Sequence, residues 1–171
     1  MGKQYFIADT HFNHDKIISF CDRPYKNVLE MNKTIINNWN KTVKSDDVVY
    51  HLGDFAFDNI EIITKFRNLL NGKIFLVMGN HDRYSVKRYY DAGFDRVYDK
   101  PILICNQDVI LSHEPVFITN SMPFCNIFGH VHNNVIYKTV TENSYCVSVE
   151  RINYTPISLE EIIKHIEGVN R

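Results

Sequence analysis

The stretch Lys73-Ile-Phe-Leu-Val-Met-Gly-Asn-His-Asp82 decides how this chain is read. Its first six residues form a short, nearly continuous apolar run that begins just after Gly72. Such a run reads as a buried strand rather than a helix. It ends in a glycine and three side chains, Asn80, His81 and Asp82, that carry metal-competent oxygen or nitrogen donors.

The same grammar recurs along the chain. Asp9-Thr-His11 follows the strand-like run 4–8, and Gly53-Asp54 follows 47–52. Ser112-His113 closes 109–112, and Gly129-His130-Val-His132 closes 126–129. Five such clusters therefore sit at the carboxyl ends of predicted strands, the edge on which loops converge and ligands bind in α/β sheets. The donors are carboxylate, amide oxygen and imidazole with no thiolate, a set that suits Mn²⁺, Fe or Zn²⁺. Alone, Asp-Thr-His is an ordinary loop cap, Gly-Asp an ordinary turn and His113 an ordinary core histidine. Their order and shared placement give them weight, and five of the eight histidines fall within them. One geometric demand follows. His130 and His132 are two residues apart and would face opposite ways on a regular strand, so both serve one site only if the chain turns after Gly129. Glycines 53, 79 and 129 fit backbone passing close to a crowded, charged centre.

Two further strand-like runs, 102–105 and 145–149, complete the second half. Helical patterns cover 27–43, 60–70 and 85–92, the first with Val28, Met31, Ile35, Ile36 and Trp39 near one face and Asn27 and Glu30 able to cap its start. A fourth helix begins at Ser158-Leu-Glu-Glu161, a capping box, and runs to about residue 167. Strand and helix alternate first and strands dominate later, which predicts a layered α/β core with sheet inside and helices outside. No repeat, linker or low-complexity tract divides the chain, so one domain over 1–171 is expected.

Composition excludes more than it specifies. With 44% hydrophobic and 23% charged residues the chain reads as globular, and 19 basic against 20 acidic residues give a net charge of −1. That balance offers no footprint for wrapping duplex nucleic acid. The start of the chain shows no basic and apolar leader pattern, and no apolar run approaches membrane-spanning length, so a cytoplasmic protein without a membrane partner is expected. Cys21, Cys105, Cys125 and Cys146 are scattered and read as reduced.

The ordered set D-x-H, G-D, G-N-H-D, H and G-H-x-H, from Asp9 to His132, resembles the calcineurin-like metallophosphoesterase superfamily. Ile7-Ala-Asp-Thr-His-Phe12, Asn38-Trp-Asn40 and Tyr50-His-Leu-Gly-Asp-Phe55 are similar to its small, cap-less bacterial and phage members. The resemblance implies a four-layered α/β/β/α sandwich holding two divalent ions, Mn²⁺ foremost, with Fe, Zn²⁺ or Ni²⁺ as alternatives. By motif position, Asp9, His11 and His132 bind one ion, Asn80, His113 and His130 bind the other, and Asp54 bridges them. His81 takes the place of the catalytic general acid, with Asp82 the acidic residue that ends its motif. The reaction implied is attack on phosphorus by a hydroxide held between the metals. A second Asp three residues after the bridging one, found in the protein phosphatases of the superfamily, is Phe57 here, and Asp58 is displaced by one. That leaves open which carboxylate orients His81 and argues against a protein phosphatase.

The expected substrate is a small phosphodiester or nucleotide-like phosphoester. Alternatives are a phosphomonoester, a phosphoprotein, single-stranded nucleic-acid ends, or no substrate at all in a scaffold of the same fold. Asn13, His14, Arg23 and Arg83 are the candidate substrate contacts, against a bland reading of Arg23 as a surface residue stacked on Pro24 or Tyr25. His51 reads as a core or supporting residue and His165 as solvated. Residues 149–154 read as a closing strand or a dimer contact, and the oligomeric state is open.

Overall fold

A computed structural model describes residues 2–105, 108–118, 124–134 and 143–169. Four parallel strands, β1 (Gln4–Ile7), β2 (Val48–His51), β3 (Lys73–Val77) and β4 (Arg96–Tyr98), form the first sheet, and β9 (Ile157–Ser158) pairs antiparallel with β1. The order across it is β4-β3-β2-β1-β9. Parallel neighbours need crossovers, and α1 (Lys16–Phe20), α2 (Val28–Thr42), α3 (Ile60–Asn68) and α4 (Val86–Asp91) lie in those connections. The second sheet, in order β5-β6-β7-β8, contains β5 (Ile102–Ile104), β6 (Val109–Leu111), β7 (Cys125–Phe128) and β8 (Ser144–Cys146). Among the described strands there, β5 alone runs antiparallel.

Registry brings the chemistry to one edge. Ile7 pairs with His51, and His51 with Leu76, so β1, β2 and β3 end level and release Asp9, Asp54 and Asn80 side by side. Every residue of β7 is buried, as expected of a strand covered on both faces. At that same edge the two sheets are stitched together. Ala8 N–H donates to Val147 O (2.9 Å), Val149 N–H to Ala8 O (3.1 Å) and Val147 N–H to Phe128 O (2.8 Å). Residues from both sheets share one hydrophobic core, giving the α/β/β/α sandwich.

The helices follow their local codes. Asn27 caps α2 by accepting from Glu30 N–H at 3.0 Å, and the helix buries Met31, Ile35 and Trp39. The Ser158/Glu161 box is reciprocal: Glu161 N–H donates to Ser158 Oγ (3.3 Å), and Ser158 N–H to Glu161 Oε2 (3.0 Å). It starts α5 (Leu159–Val169), which packs on β1, β9 and β8. Three elements go beyond the sequence reading, α1, β4 and β9, each too short to show a periodic pattern. Residues 149–154 are a run of turns, which corrects the closing-strand expectation. No described helix is long and apolar enough to cross a membrane.

Candidate metal centre

Five of the residues gathered at this edge have backbone in the left-handed region: Asp9 (φ 58°), His11 (47°), Asp54 (57°), His130 (70°) and His132 (49°). For side chains bearing a Cβ this conformation is costly and clusters at functional sites. It answers the alternation problem. Paired left-handed residues at 9/11 and 130/132 curl the chain, so residues two apart face the same way. Thr10, between the first pair, points elsewhere and donates to Phe55 O at 2.7 Å. Glycine is required by close approach at two points. A Cβ on Gly129 would fall 2.8 Å from Asp9 Oδ2, and one on Gly79 would fall 2.7 Å from His113 Cε1.

Asp9, His11 and His132 form one cluster, with a ligand atom of each within 4.8 Å of the others. Asp9 Oδ2 is satisfied by His130 N–H (2.8 Å) and Ser148 Oγ–H (2.6 Å). Its Oδ1, and Nε2 of His11, are buried and have no hydrogen-bond partner. Such orphans cost about 1–3 kcal/mol each, and a divalent cation is the species that would satisfy an oxygen and a ring nitrogen together. The residues therefore fit a metal.

Asn80, His113 and His130 form a second cluster. Asn80 Oδ1 lies 2.9 Å from His113 Nε2 and 3.0 Å from His130 Nδ1. Nδ1 of His113 donates to Leu52 O at 2.8 Å, which leaves its Nε2 as the lone-pair nitrogen aimed into the cluster. Asp54 Oδ2 sits between the clusters, 3.4 Å from His11 Nε2 and 3.6 Å from His113 Nε2. Burial works against the Asp54 carboxylate, but His11, His113 and the His81 N–H hold it well below the usual carboxylate range.

His81 stands at the rim. Its N–H donates to Asp54 Oδ1 at 2.8 Å, and its ring centroid lies 5.4 Å from that of His11. Asp58 does not orient it. That carboxylate is taken by Asn13 Nδ2 and by the Asn59 N–H, and Nδ1 of His81 has no partner. Instead the ring packs edge-on to Phe57. Burial pushes the His81 ring below the ordinary imidazole range. Asp82 is buried and does not reach the cavity. Its Oδ2 accepts from Asp54 N–H and Gly79 N–H (both 2.8 Å), and its Oδ1 from Phe55 N–H (3.2 Å) and Tyr89 O–H (3.3 Å). It ties two site loops together, so the acidic residue that ends the His81 motif faces backbone N–H groups here.

The candidate substrate contacts separate. Arg83 is exposed, lies over the Phe57 ring at 5.2 Å and lines a cavity of about 310 Å³ with Phe57, Asp58, His81 and Tyr84. Asn13 is engaged by Asp58 and Asn32. His14 packs behind the site, Nδ1 3.3 Å from His11 Nδ1 and its ring stacked on Phe57 at 4.2 Å, and burial pushes it down to about 4. Arg23 overturns both of its expectations: it is neither a surface residue nor free to hold a substrate. Only 4% exposed, it donates to Glu150, to Asp9 O (2.8 Å) and to Thr10 O (3.1 Å). His51 is fully buried beneath the loop, Nε2 2.9 Å from Thr10 Oγ1, as a supporting residue should be. The exposed His165 meets the Tyr145 ring edge-on.

Sequence reasoning missed Ser148 and Glu150. Glu150 Oε1 lies 3.0 Å from His132 Nδ1 and 2.7 Å from Arg23 Nη2. Burial works against its charge, but His132 and Arg23 outweigh burial and hold the carboxyl down to about 2. The signal was there. Glu150 directly follows the predicted strand 145–149, the same placement that marked the other clusters.

The chain is similar to known proteins in sequence and in fold. A family model described as calcineurin-like phosphoesterase matches residues 3–165. An uncharacterized protein of Methanocaldococcus jannaschii is 39% identical over 98% of this chain and 93% of its own. The crystal structure of a protein of unknown function from Aquifex aeolicus superposes with a TM-score of 0.77 at 31% identity, covering 96% of this chain and 99% of that one. A novel archaeal phosphodiesterase shares the fold, with a TM-score of 0.52 at 19% identity over 85% of this chain and 82% of its own. With its donors gathered at one sheet edge and its sequence matched along nearly its whole length, the chain belongs to the calcineurin-like phosphoesterase family, whose members depend on metal.

Proposed function

We propose that this protein hydrolyses small phosphodiesters or nucleotide-like phosphoesters, with a metal pair held by Asp9, His11, His132, Asp54, Asn80, His113 and His130. The observation that carries the reading is the position of His81, whose backbone is tied to the shared Asp54 and whose ring borders the 310 Å³ cavity. When bound, a pair of divalent ions such as Mn²⁺ supplies an activated water and neutralises charge on the phosphoryl oxygens. The chain supplies the remainder. His81 gives its proton to the departing oxygen, and the negative charge of a bound phosphate raises its proton affinity against the lowering effect of burial. Arg83 and Phe57, in the same cavity wall, receive the leaving group.

The cavity beside His81 offers a place for the substituent that leaves, which a diester and a monoester both carry, so the choice of a diester leans on a protein of the same fold. The archaeal phosphodiesterase of the same fold is in keeping with that choice. A net charge of −1 supports a small substrate over duplex nucleic acid, and the free cysteines support a cytoplasmic setting. The test compares bis-p-nitrophenyl phosphate with p-nitrophenyl phosphate, each with Mn²⁺, Ni²⁺, Zn²⁺ and Mg²⁺. Faster diester turnover is expected. Preference for the monoester would assign a phosphomonoesterase, and no hydrolysis with any ion would overturn the enzymatic reading in favour of a scaffold.

A further inference from the structure

We infer that Glu150, held in place by Arg23, is a positioning residue that fixes His132 as a metal ligand. The inference rests on the metal-centre reading above, but not on which ester is cleaved.

One oxygen of Glu150 receives three donors. Arg23 Nε donates to Oε1 at 2.9 Å and Arg23 Nη2 approaches it at 2.7 Å, while His132 Nδ1 lies at 3.0 Å. A carboxylate oxygen only accepts, so Nδ1 of the His132 ring carries a hydrogen, and Nε2 is the nitrogen whose lone pair a cation would take. The same guanidinium donates to the backbone carbonyls of Asp9 and Thr10. Arg23 thus ties the carboxylate behind His132 to the loop that carries Asp9 and His11. Ligands separated by more than 120 residues are spaced from one buried cation.

Stability gives no sufficient reason for this pair. The Arg23 and Glu150 side chains are 0% and 5% exposed, and burying such a pair costs more desolvation than an apolar replacement would. Nor do Cys21, His132 and Glu150 make a convincing cation site of their own, although their donor atoms lie within 4.8 Å of one another and Oε2 of Glu150 is buried without a hydrogen-bond partner. The positive charge that Glu150 accepts is already supplied by Arg23. What the pair does supply is a charged acceptor behind a ligand histidine, which sets ring orientation and strengthens the donor nitrogen.

The test is calorimetric titration of Mn²⁺ into metal-stripped protein. Glu150→Gln keeps an acceptor of the same shape and removes the charge. One of the two Mn²⁺ affinities should fall about 10–100-fold, the usual effect of losing such a partner, while the other holds. In a His132→Ala background the same substitution should cause no further loss, because Glu150 acts through His132. Since Glu150→Gln strands a buried guanidinium, Arg23→Met with Glu150→Gln is run beside it; this removes the uncompensated charge at the cost of the contacts to Asp9 O and Thr10 O, and a loss at the same single site is expected. Unaltered Mn²⁺ binding in the double variant would overturn the inference. So would an equal effect of Glu150→Gln with and without His132. A wild-type protein that shows this coupling yet cleaves no ester would sink the proposed function and leave the role of Glu150 standing.

Discussion

The two halves of the candidate metal centre are built in different ways. Behind Asn80, His113 and His130 the support is backbone and neutral: Leu52 O fixes the tautomer of His113, and the three side chains lie within hydrogen-bonding distance of one another. Behind Asp9, His11 and His132 the support is buried charge and hydroxyl, from Arg23, Glu150 and Ser148. A carbonyl behind a histidine orients it without altering the net charge of the site. A carboxylate does both, and needs its own counter-charge to stay buried. The first kind of support comes with any strand end. The second must be assembled from distant segments.

Asp54 is shared by both halves, so removing it should erase the difference between them. Asp54→Ala is expected to release both metals, seen by elemental analysis after desalting. Hydrolysis should fall by more than the roughly 10²–10³-fold that loss of one electrostatic donor costs. Retention of one tight metal would show that the halves stand independently. His81→Gln should do the reverse, leaving both metal affinities as they are and lowering turnover about 10²–10⁴-fold on esters with poor leaving groups. The loss should shrink with p-nitrophenolate, which needs no proton. Equal losses on both kinds of ester would remove the general-acid role.

The same division explains what the sequence disclosed. All seven donors and His81 were legible because each sits just past an apolar run, and the structure brings them to one edge. Strand order was not legible, since it depends on which strands pair, and a two-residue strand such as β9 carries no period. The supports divide as the halves do. Leu52 O is invisible because any residue has a carbonyl. Arg23 misled because a lone arginine is usually solvated, and nothing local announced that Asp9 O, Thr10 O and Glu150 would converge on it. His14 and Asn13, polar and next to His11, looked like substrate contacts but spend their hydrogen bonds on His11, Asp58 and Asn32.

Asp82, a buried carboxylate one step beyond those neutral contacts, tests the Asn80 half. It joins the Asp54 and Gly79 loops through backbone N–H groups, and in Asp82→Asn one oxygen becomes an N–H₂ group. The amide nitrogen fits best toward Tyr89, whose hydroxyl can turn to accept, and this leaves the Phe55 N–H unpaired. Unfolding by urea should show a loss of about 1–3 kcal/mol. Metal binding at the Asn80 half should weaken more than at the Asp9 half. An even loss would mean that Asp82 supports the whole edge.

The smallest effect is expected at the opposite, amino end of the same sheet. Asp47 receives Lys3 N–H at 2.7 Å and Lys44 N–H at 2.8 Å, one on each oxygen, so it has no orphan to offer a cation. Those backbone donors hold its carboxyl below the ordinary value. A carboxyl lowered by folding adds stability above its unfolded pKa of about 4, and that stability is lost as pH falls through the folded value. Asp47→Asn should therefore cost about 1–2 kcal/mol at neutral pH. The gap to wild type should close as the solution is acidified below the normal carboxylate range, followed by urea unfolding across pH. Both Mn²⁺ affinities should stay at their wild-type values, because the hydrogen bonds of the Asp47 side chain go to Lys3 and Lys44, away from both halves of the centre. A shift in one affinity alone would show that the halves differ through the sheet as a whole, and not through the side chains directly behind each histidine.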